Sequence, residues 1–308
     1  MEKRDCKNVV IVARLRQFQS MPQIQSAVFE VLNGVRNHGR IEIPSHAKIM
    51  IKPNICFVKR HETGATVDPF VVRCLVDWLL ENYNIESITI GEADATELNV
   101  EVAFKVLGWE DMFKTYPDVR LLNLSKDKRI KVKSKGFFSE NLYLSKTYME
   151  ADFLISVAKL KTHTLCRLTC ALKNQFGANP VKRKIRYHKN LDEVIYELNK
   201  AKIPNLCLVD AIIGMEGEGP VKGIPKPLGI VVAGNDVVAV DHLCAKIAGV
   251  NPDKISYLRM ATERKLGSVK YDVLGESVDP KQSKFAFVPR FRSTLMTLYQ
   301  EIRSFVNF

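Results

Sequence analysis

The chain has 308 residues, 46% hydrophobic and 26% charged, which is enough apolar content to bury the core of one or two domains. Its 46 lysines and arginines stand against 34 aspartates and glutamates, so its formal charge is +12 and its expected partners are anions. Seven scattered cysteines without a Cys-x-x-Cys argue against a disulfide framework and against an iron–sulfur or zinc-ribbon site.

The start, MEKRDCKNVVIVARLRQ, has too short an apolar run for a signal peptide, and no run reaches the length of a membrane span. A cytoplasmic protein with reduced thiols is expected. Runs rich in Val, Ile and Leu without strict alternation predict buried strands at 8–15, 48–53, 87–92, 119–124, 152–158, 206–212, 228–234 and 271–275. Helices are predicted at 21–37, 68–83, 97–107, 165–176, 190–202, 236–248 and 252–265. Asp68 can cap the second, with Pro69 at its first position. This alternation predicts an α/β fold with a doubly wound, mostly parallel sheet in two lobes and a C-terminal helix.

The first lobe is expected over 1–203 and the second over 204–280, with a seam at KIPNL (202–206). Lys131, Lys133 and Lys135 alternate with Ile130 and Val132, which predicts a hairpin with a basic face near 126–146. The tail over 281–308 carries apolar residues at 291, 295, 298, 302 and 305. That helical stripe suits docking on the protein itself or on a second copy, a homo-oligomer contact.

Ligands of open α/β sheets bind beyond the carboxyl ends of the strands. Those ends carry Lys52 and Asn54; Glu92 and Asp94; Lys159, Lys161 and His163; Asp210; and Asn235 and Asp236. The loop GMEGEGPVKG (214–223) offers Gly217 and Gly219, whose backbone could cradle an anion, with Glu216 or Glu218 as an acid or base. It is neither a Walker loop nor a dinucleotide fingerprint. A helix over 165–176 would set Cys166, Cys170 and Lys173 on one face beside Leu165, Leu168, Leu172 and Phe176. A lysine bordering apolar surface has the lowered pKa that a nucleophilic or cofactor-anchoring amine needs. The cysteines there read as packing and His163 as a general base or ligand. The run VKRKIRYH places Arg183 and His188 in a basic loop suited to a phosphate or carboxylate.

Several segments together resemble an uncharacterised family, domain of unknown function 362. They are KPN at 52–54, TVDP at 66–69, KLKTH at 159–163, LTCALKNQFG at 168–177, GMEGEGPVKG at 214–223 and AGNDVVAVD at 233–241. The resemblance covers roughly Lys48 to Gly275. It implies no particular activity, and the cysteines of the ferredoxin-like module of some members are absent here. The chain is also similar to the nickel-pincer lactate racemases. Their lysine anchors a pyridinium-derived cofactor and follows a histidine by ten positions, as Lys173 follows His163, and a later histidine, His188 here, would be the nickel ligand. SITIGEADATELNVEVAFKVLG resembles their strand, loop and helix, but its loop offers Glu92 and Asp94 and no histidine. The glycine-rich surroundings of the racemase lysine are missing too, so this likeness bears on fold and site location and not on nickel.

Three functions are expected to compete. The first is an enzyme acting on a small anionic molecule at a cleft between the lobes, an isomerase or oxidoreductase by resemblance. Lys173, His163 and His188 would be its reactive groups and Lys52, Lys161 and Arg183 its charge holders. Asn54 and Asn174 would join in binding, and Glu92, Asp210 or Glu216 would relay protons. Its cofactor is open: no iron–sulfur cluster, with a lysine-anchored or metal cofactor the remaining choices and no metal ligand set assigned. The second is nucleic-acid binding through the lysines of 126–135 and the run 181–189. The third is a thiol-based metal or redox carrier using Cys166 and Cys170.

Overall fold

The computed structural model describes residues 8–17, 20–134 and 142–289. The strands are β1 (Val9–Arg14), β2 (Ala47–Pro53), β3 (Ile85–Glu92), β4 (Val119–Asn123), β5 (Arg129–Lys131), β6 (Tyr143–Ser145), β7 (Phe153–His163), β8 (Arg167–Thr169), β9 (Leu206–Glu216), β10 (Ile224–Gly234) and β11 (Asp272–Gly275). The helices are α1 (Met21–Gly39), α2 (Pro69–Asn82), α3 (Val100–Val106), α4 (Trp109–Phe113), α5 (Lys146–Glu150), α6 (Ala171–Asn174), α7 (Leu191–Ala201), α8 (Val237–Ile247), α9 (Ser256–Glu263) and α10 (Pro280–Ser283).

One sheet of nine strands has the order β11-β1-β10-β9-β7-β2-β3-β4, with β8 folded back on the end of β7. From β9 to β4 neighbouring strands are parallel; β10 is antiparallel to both β9 and β1. The fold is α/β with a mixed, mostly parallel sheet. Strands from before and after residue 203 interleave, because β9 and β10 lie between β7 and β1. β5 and β6 pair as the separate basic hairpin. Lys135 and the tail from 290 onward lie outside the described residues.

Apolar residues cover both faces, as a doubly wound sheet requires. On one face α1 contributes Ile24, Ala27, Val28, Val31 and Leu32 at three- and four-residue spacing, and α2, α3 and α4 extend the layer. On the other face α7, α8 and α9 pack against residues such as Leu154, Val209 and Val232. Asp68 caps α2 as expected, its carboxylate accepting from Phe70 N at 2.8 Å with Pro69 in the first position. Among the described residues no helix is long and apolar enough to cross a membrane.

The stretch 165–176 corrects the sequence reading: it is not one helix. β7 continues to His163, and the chain turns back as β8, pairing Lys161 with Thr169 and His163 with Arg167. Only 171–174 is α-helical before a tighter turn over 175–178. Three hydrogen bonds, two of them local and one long-range, account for this. His163 Nδ1 accepts from Leu165 N at 3.1 Å and Cys166 N at 3.2 Å, closing the turn, and the buried Asp241 carboxylate accepts from Leu172 N at 3.3 Å. Cys166, Cys170 and Lys173 therefore share no helix face. Cys166 and Cys170 are buried in the core.

Candidate functional site

Parallel strands bring their carboxyl ends to one edge, where β2, β3, β7 and the turn after β8 meet. At the end of β2, Lys52 Nζ lies 2.7 Å from Glu92 Oε2 of β3, 2.5 Å from Pro53 O and 3.2 Å from Asn174 Oδ1. Burial pulls the Lys52 pKa down, and the Glu92 carboxylate opposes the fall. Asn174 joins the walls of the site: its Nδ2 donates to Lys52 O, Ser156 Oγ and Val157 O, and its Oδ1 accepts from Asn54 Nδ2 at 3.1 Å. Gly177 closes over the ion pair, and a Cβ there would stand 2.7 Å from Glu92 Oε1 and 2.8 Å from Lys52 Nζ.

A second buried ion pair sits on β7 and β9, where Lys159 and Asp210 are register partners with Nζ 2.8 Å from Oδ2. Asp210 also accepts from Asp68 N at 2.8 Å and Ile212 N at 3.1 Å, so it anchors the start of α2. Glu216 is similarly occupied, by Lys226 Nζ at 3.0 Å and Ala286 N at 2.8 Å. The structure thus gives both carboxylates architectural partners.

Three more lysines reach this edge without a carboxylate in ion-pair contact among the described residues. Lys161 Nζ donates to Ala65 O and lies 3.1 Å from Cys56 Sγ. Lys184 Nζ donates to Ala93 O, Asp94 O and Gly177 O at 3.3, 2.9 and 3.0 Å. Burial brings its pKa down to about 7, opposed by Glu92 and assisted by Lys52 and Lys173. Lys173 Nζ sits 4.4 Å from the Phe176 ring centre, a cation–π contact. Its pKa is lowered first by burial, with Lys161 and Lys52 adding to the fall.

His163 is half-buried, and burial holds it neutral, its pKa well below the usual value, with Lys173, His188 and Lys161 acting in the same direction. Because Nδ1 accepts two backbone N–H bonds, the neutral ring carries its proton on Nε2. His188 stacks obliquely on Phe176, with ring centres 6.5 Å apart. Beside His163 a cavity of about 360 Å³ is lined by Thr162, Thr164, Arg167, Asp192, Gly217 and Phe287 among others.

The structure brings together Lys52, Asn54, Glu92, Lys161, His163, Lys173, Asn174 and His188. It leaves Arg183 on the surface and puts its neighbour Lys184 in the interior. Gly217 and Gly219 belong to the β9–β10 turn. Gly217 N donates to Ala286 O at 2.8 Å, Gly217 O accepts from Thr162 Oγ1 at 3.0 Å, and Gly219 O accepts from Thr164 N at 3.1 Å. That backbone is spent on holding β7 and the segment at 286. Cys56 and Lys184 are the residues sequence reasoning missed. Each lies just past a strand or inside a basic run, and only its burial distinguishes it from neighbours of the same type. Among the described residues no three His, Cys, Asp or Glu side chains are grouped to hold a metal ion. An amine-anchored group would fall to Lys173.

A protein from Thermotoga maritima solved by structural genomics is 13% identical over 68% of this chain and 54% of that one, with a TM-score of 0.37. The lactate racemase apoprotein of Thermoanaerobacterium thermosaccharolyticum is 10% identical over 79% and 57%, with a TM-score of 0.43. Likenesses at these levels carry no chemistry across, and the chain spans little more than half of either protein. The thylakoid-associated protein sll1697 of Synechocystis sp. is 36% identical over 134 residues, 41% of this chain and 41% of that protein. Residues 49–246, well over half of the chain, match the family described as Domain of unknown function (DUF362), and the chain belongs to that family.

Proposed function

We propose that the protein is an enzyme acting on a small anionic molecule bound at this sheet edge. Lys173 is its reactive or anchoring amine, and His163 and His188 are the groups that give and take protons. The observation that carries the reading is Lys173 itself. It is a half-buried amine with a lowered pKa, no ion-pair partner among the described residues, and Lys161 and Lys52 within electrostatic range. Such a lysine either holds an anion or gives up its proton more readily than an exposed one and presents the nucleophilic amine. Lys161 and Lys184 supply the field that favours an anionic ligand, while His163 offers Nε2–H as a donor to a developing negative charge. A reducing compartment such as the cytoplasm suits the six described cysteines, which are free thiols.

Reductive trapping tests this. The full chain is treated with pyridoxal 5′-phosphate and borohydride near pH 7.5, and labelled peptides are read by mass spectrometry. Lys173 is expected to label ahead of exposed lysines, and inorganic phosphate to slow it. Labelling of Lys173 no faster than that of surface lysines defeats the reading.

A further inference from the structure

The cavity beside His163 is lined by neither Lys173, Lys161 nor His188, so the chemistry just described leaves it unused. Its volume of about 360 Å³ is that of a small-molecule site. Its charged lining residues are Arg167, Asp192 and Lys254. They come from β8, from the first turn of α7 and from the short turn over 252–254 before α9. Thr164 and Ser256 add hydroxyl groups to the wall.

Two observations point this lining toward a ligand. Arg167 has φ 68°, a left-handed backbone that residues other than glycine adopt at a cost. Among the described residues, Arg40, His46 and Lys265 share that conformation at helix ends or in a turn, whereas Arg167 lies inside a strand. Its guanidinium stands 4.9 Å from the Phe287 ring centre, and its register partner across the hairpin is His163. Residues paired in this way turn their side chains to the same face. The fold therefore accepts strain at the cavity wall and fixes a planar cation there. The second observation is the His163 Nε2–H. Nδ1 is committed to two backbone amides, and among the described residues no acceptor takes the Nε2 proton. The ring that carries it lines the cavity.

We propose that this cavity binds a phosphate monoester of a small polyol, with Arg167 and Lys254 on the phosphate and Asp192, Thr164 and Ser256 on the hydroxyls, a deepening that rests on the anion reading above. Two cations on separate elements exceed what a single carboxylate needs and match a phosphate dianion, and the planar fork of Arg167 suits two of its oxygens. A lining carboxyl group suits a ligand that also carries hydroxyl donors. Burial lifts the Asp192 pKa, with Arg259 and the Tyr257 amide opposing, and so eases its repulsion of the phosphate. His163 is the wall that the cavity shares with the lysine cluster, since Lys173 and Lys161 lie within electrostatic range of its ring.

Titration calorimetry on the full chain tests this with ribitol 5-phosphate, ribitol, ribonate and inorganic phosphate. Ribitol 5-phosphate is expected to bind about tenfold or more tightly than ribonate or inorganic phosphate, and ribitol not to bind. Arg167→Asn keeps a residue that tolerates the left-handed backbone, removes the guanidinium and lowers the affinity by about tenfold or more. Lys254→Met lowers it by a smaller factor, while Lys105→Met, on the exposed side of α3, leaves it unchanged. If Arg167→Asn fails to fold by circular dichroism, Lys254→Met, a change at an exposed position, still decides. In proton–carbon NMR spectra of the six histidines, ribitol 5-phosphate shifts the His163 signal and leaves that of exposed His38 in place. Ribonate or inorganic phosphate binding as tightly as ribitol 5-phosphate overturns the proposal. An unmoved His163 signal, or affinity that neither variant lowers, does the same. Should Lys173 still trap as expected in that case, the anion reading stands without the cavity. Cavity binding without Lys173 trapping supports the cavity and removes Lys173.

Discussion

Lys52 and Lys159 differ from Lys161, Lys173 and Lys184 in one respect: each of the first two pairs directly with a carboxylate, and among the described residues the other three do not. Lys52 and Lys159 are 0% and 1% exposed, and each has its ion-pair partner within 2.8 Å. The others rest on carbonyls, a thiol and an aromatic ring. A buried pair is internally neutral, and deleting one half strands the other half in low dielectric. Among the described residues the second set has no carboxylate in ion-pair contact, and Glu92 reaches Lys184 only through space. Architecture explains the first set, and an external anion is the simplest account of the second.

The sharpest way to break this contrast is Asp210→Asn or Glu92→Gln. Each leaves a buried ammonium unpaired and is expected to lower stability by about 3–5 kcal/mol in urea titration. A loss below about 1 kcal/mol would mean that the pairs are not architectural. Gly177→Ala pushes a methyl group against the Lys52–Glu92 pair and is expected to cost about 1–3 kcal/mol, read as a lowered Tm.

Stability against pH sharpens the contrast further. Folded Lys184 keeps its proton only to about 7, against its ordinary 10.5, so between these values the unfolded chain binds more protons. Stability therefore rises with pH over that window, by at most ~1.4 kcal/mol per pH unit. Buried Asp241 has the opposite sign. Burial lifts its carboxyl from 3.8 to about 7, so the folded chain binds more protons there and stability falls as pH rises from 3.8 to 7. Urea titrations across pH should lose the upper limb in Lys184→Met and the lower limb in Asp241→Asn. The smallest effect is expected from Lys173→Met. With no ion pair to orphan, its stability should change by less than about 1 kcal/mol while trapping at that position disappears.

The strands were largely legible because their Val, Ile and Leu runs are nearly continuous, as in LISVA of β7 and IVVAG of β10. Direction was not legible: an antiparallel β10 between β9 and β1 has the same apolar content as a parallel strand. The stretch 165–176 misled because Leu165, Leu168 and Leu172 are spaced as in a helix, while its shape depends on His163 and on Asp241, 69 residues beyond Leu172. Local pattern carries no record of a partner as distant as Asp241. The same limit explains Arg183 and Lys184, adjacent and alike in sequence, of which only the second turns inward. The strand-end rule brought Lys52, Glu92, Lys161 and His163 to attention, but Asp210 lay at such an end and went to the architecture.

The Lys184 ammonium ties together three places in the chain: the loop at 93–94, Gly177 and its own turn, across as many as 91 residues. Lys52 likewise spans 40 residues to Glu92 and 122 to Asn174. The bonds from Lys52 to Asn174 and from Lys184 to the loop at 93–94 need β2, β3 and the turn after β8 brought together, and such long-range closures come late and slowly in folding. The lysines thus stay solvated and mutually screened while the sheet assembles, and their repulsion is imposed only on a nearly finished molecule. A bound anion would accordingly act on the last step of assembly, slowing unfolding more than it speeds folding.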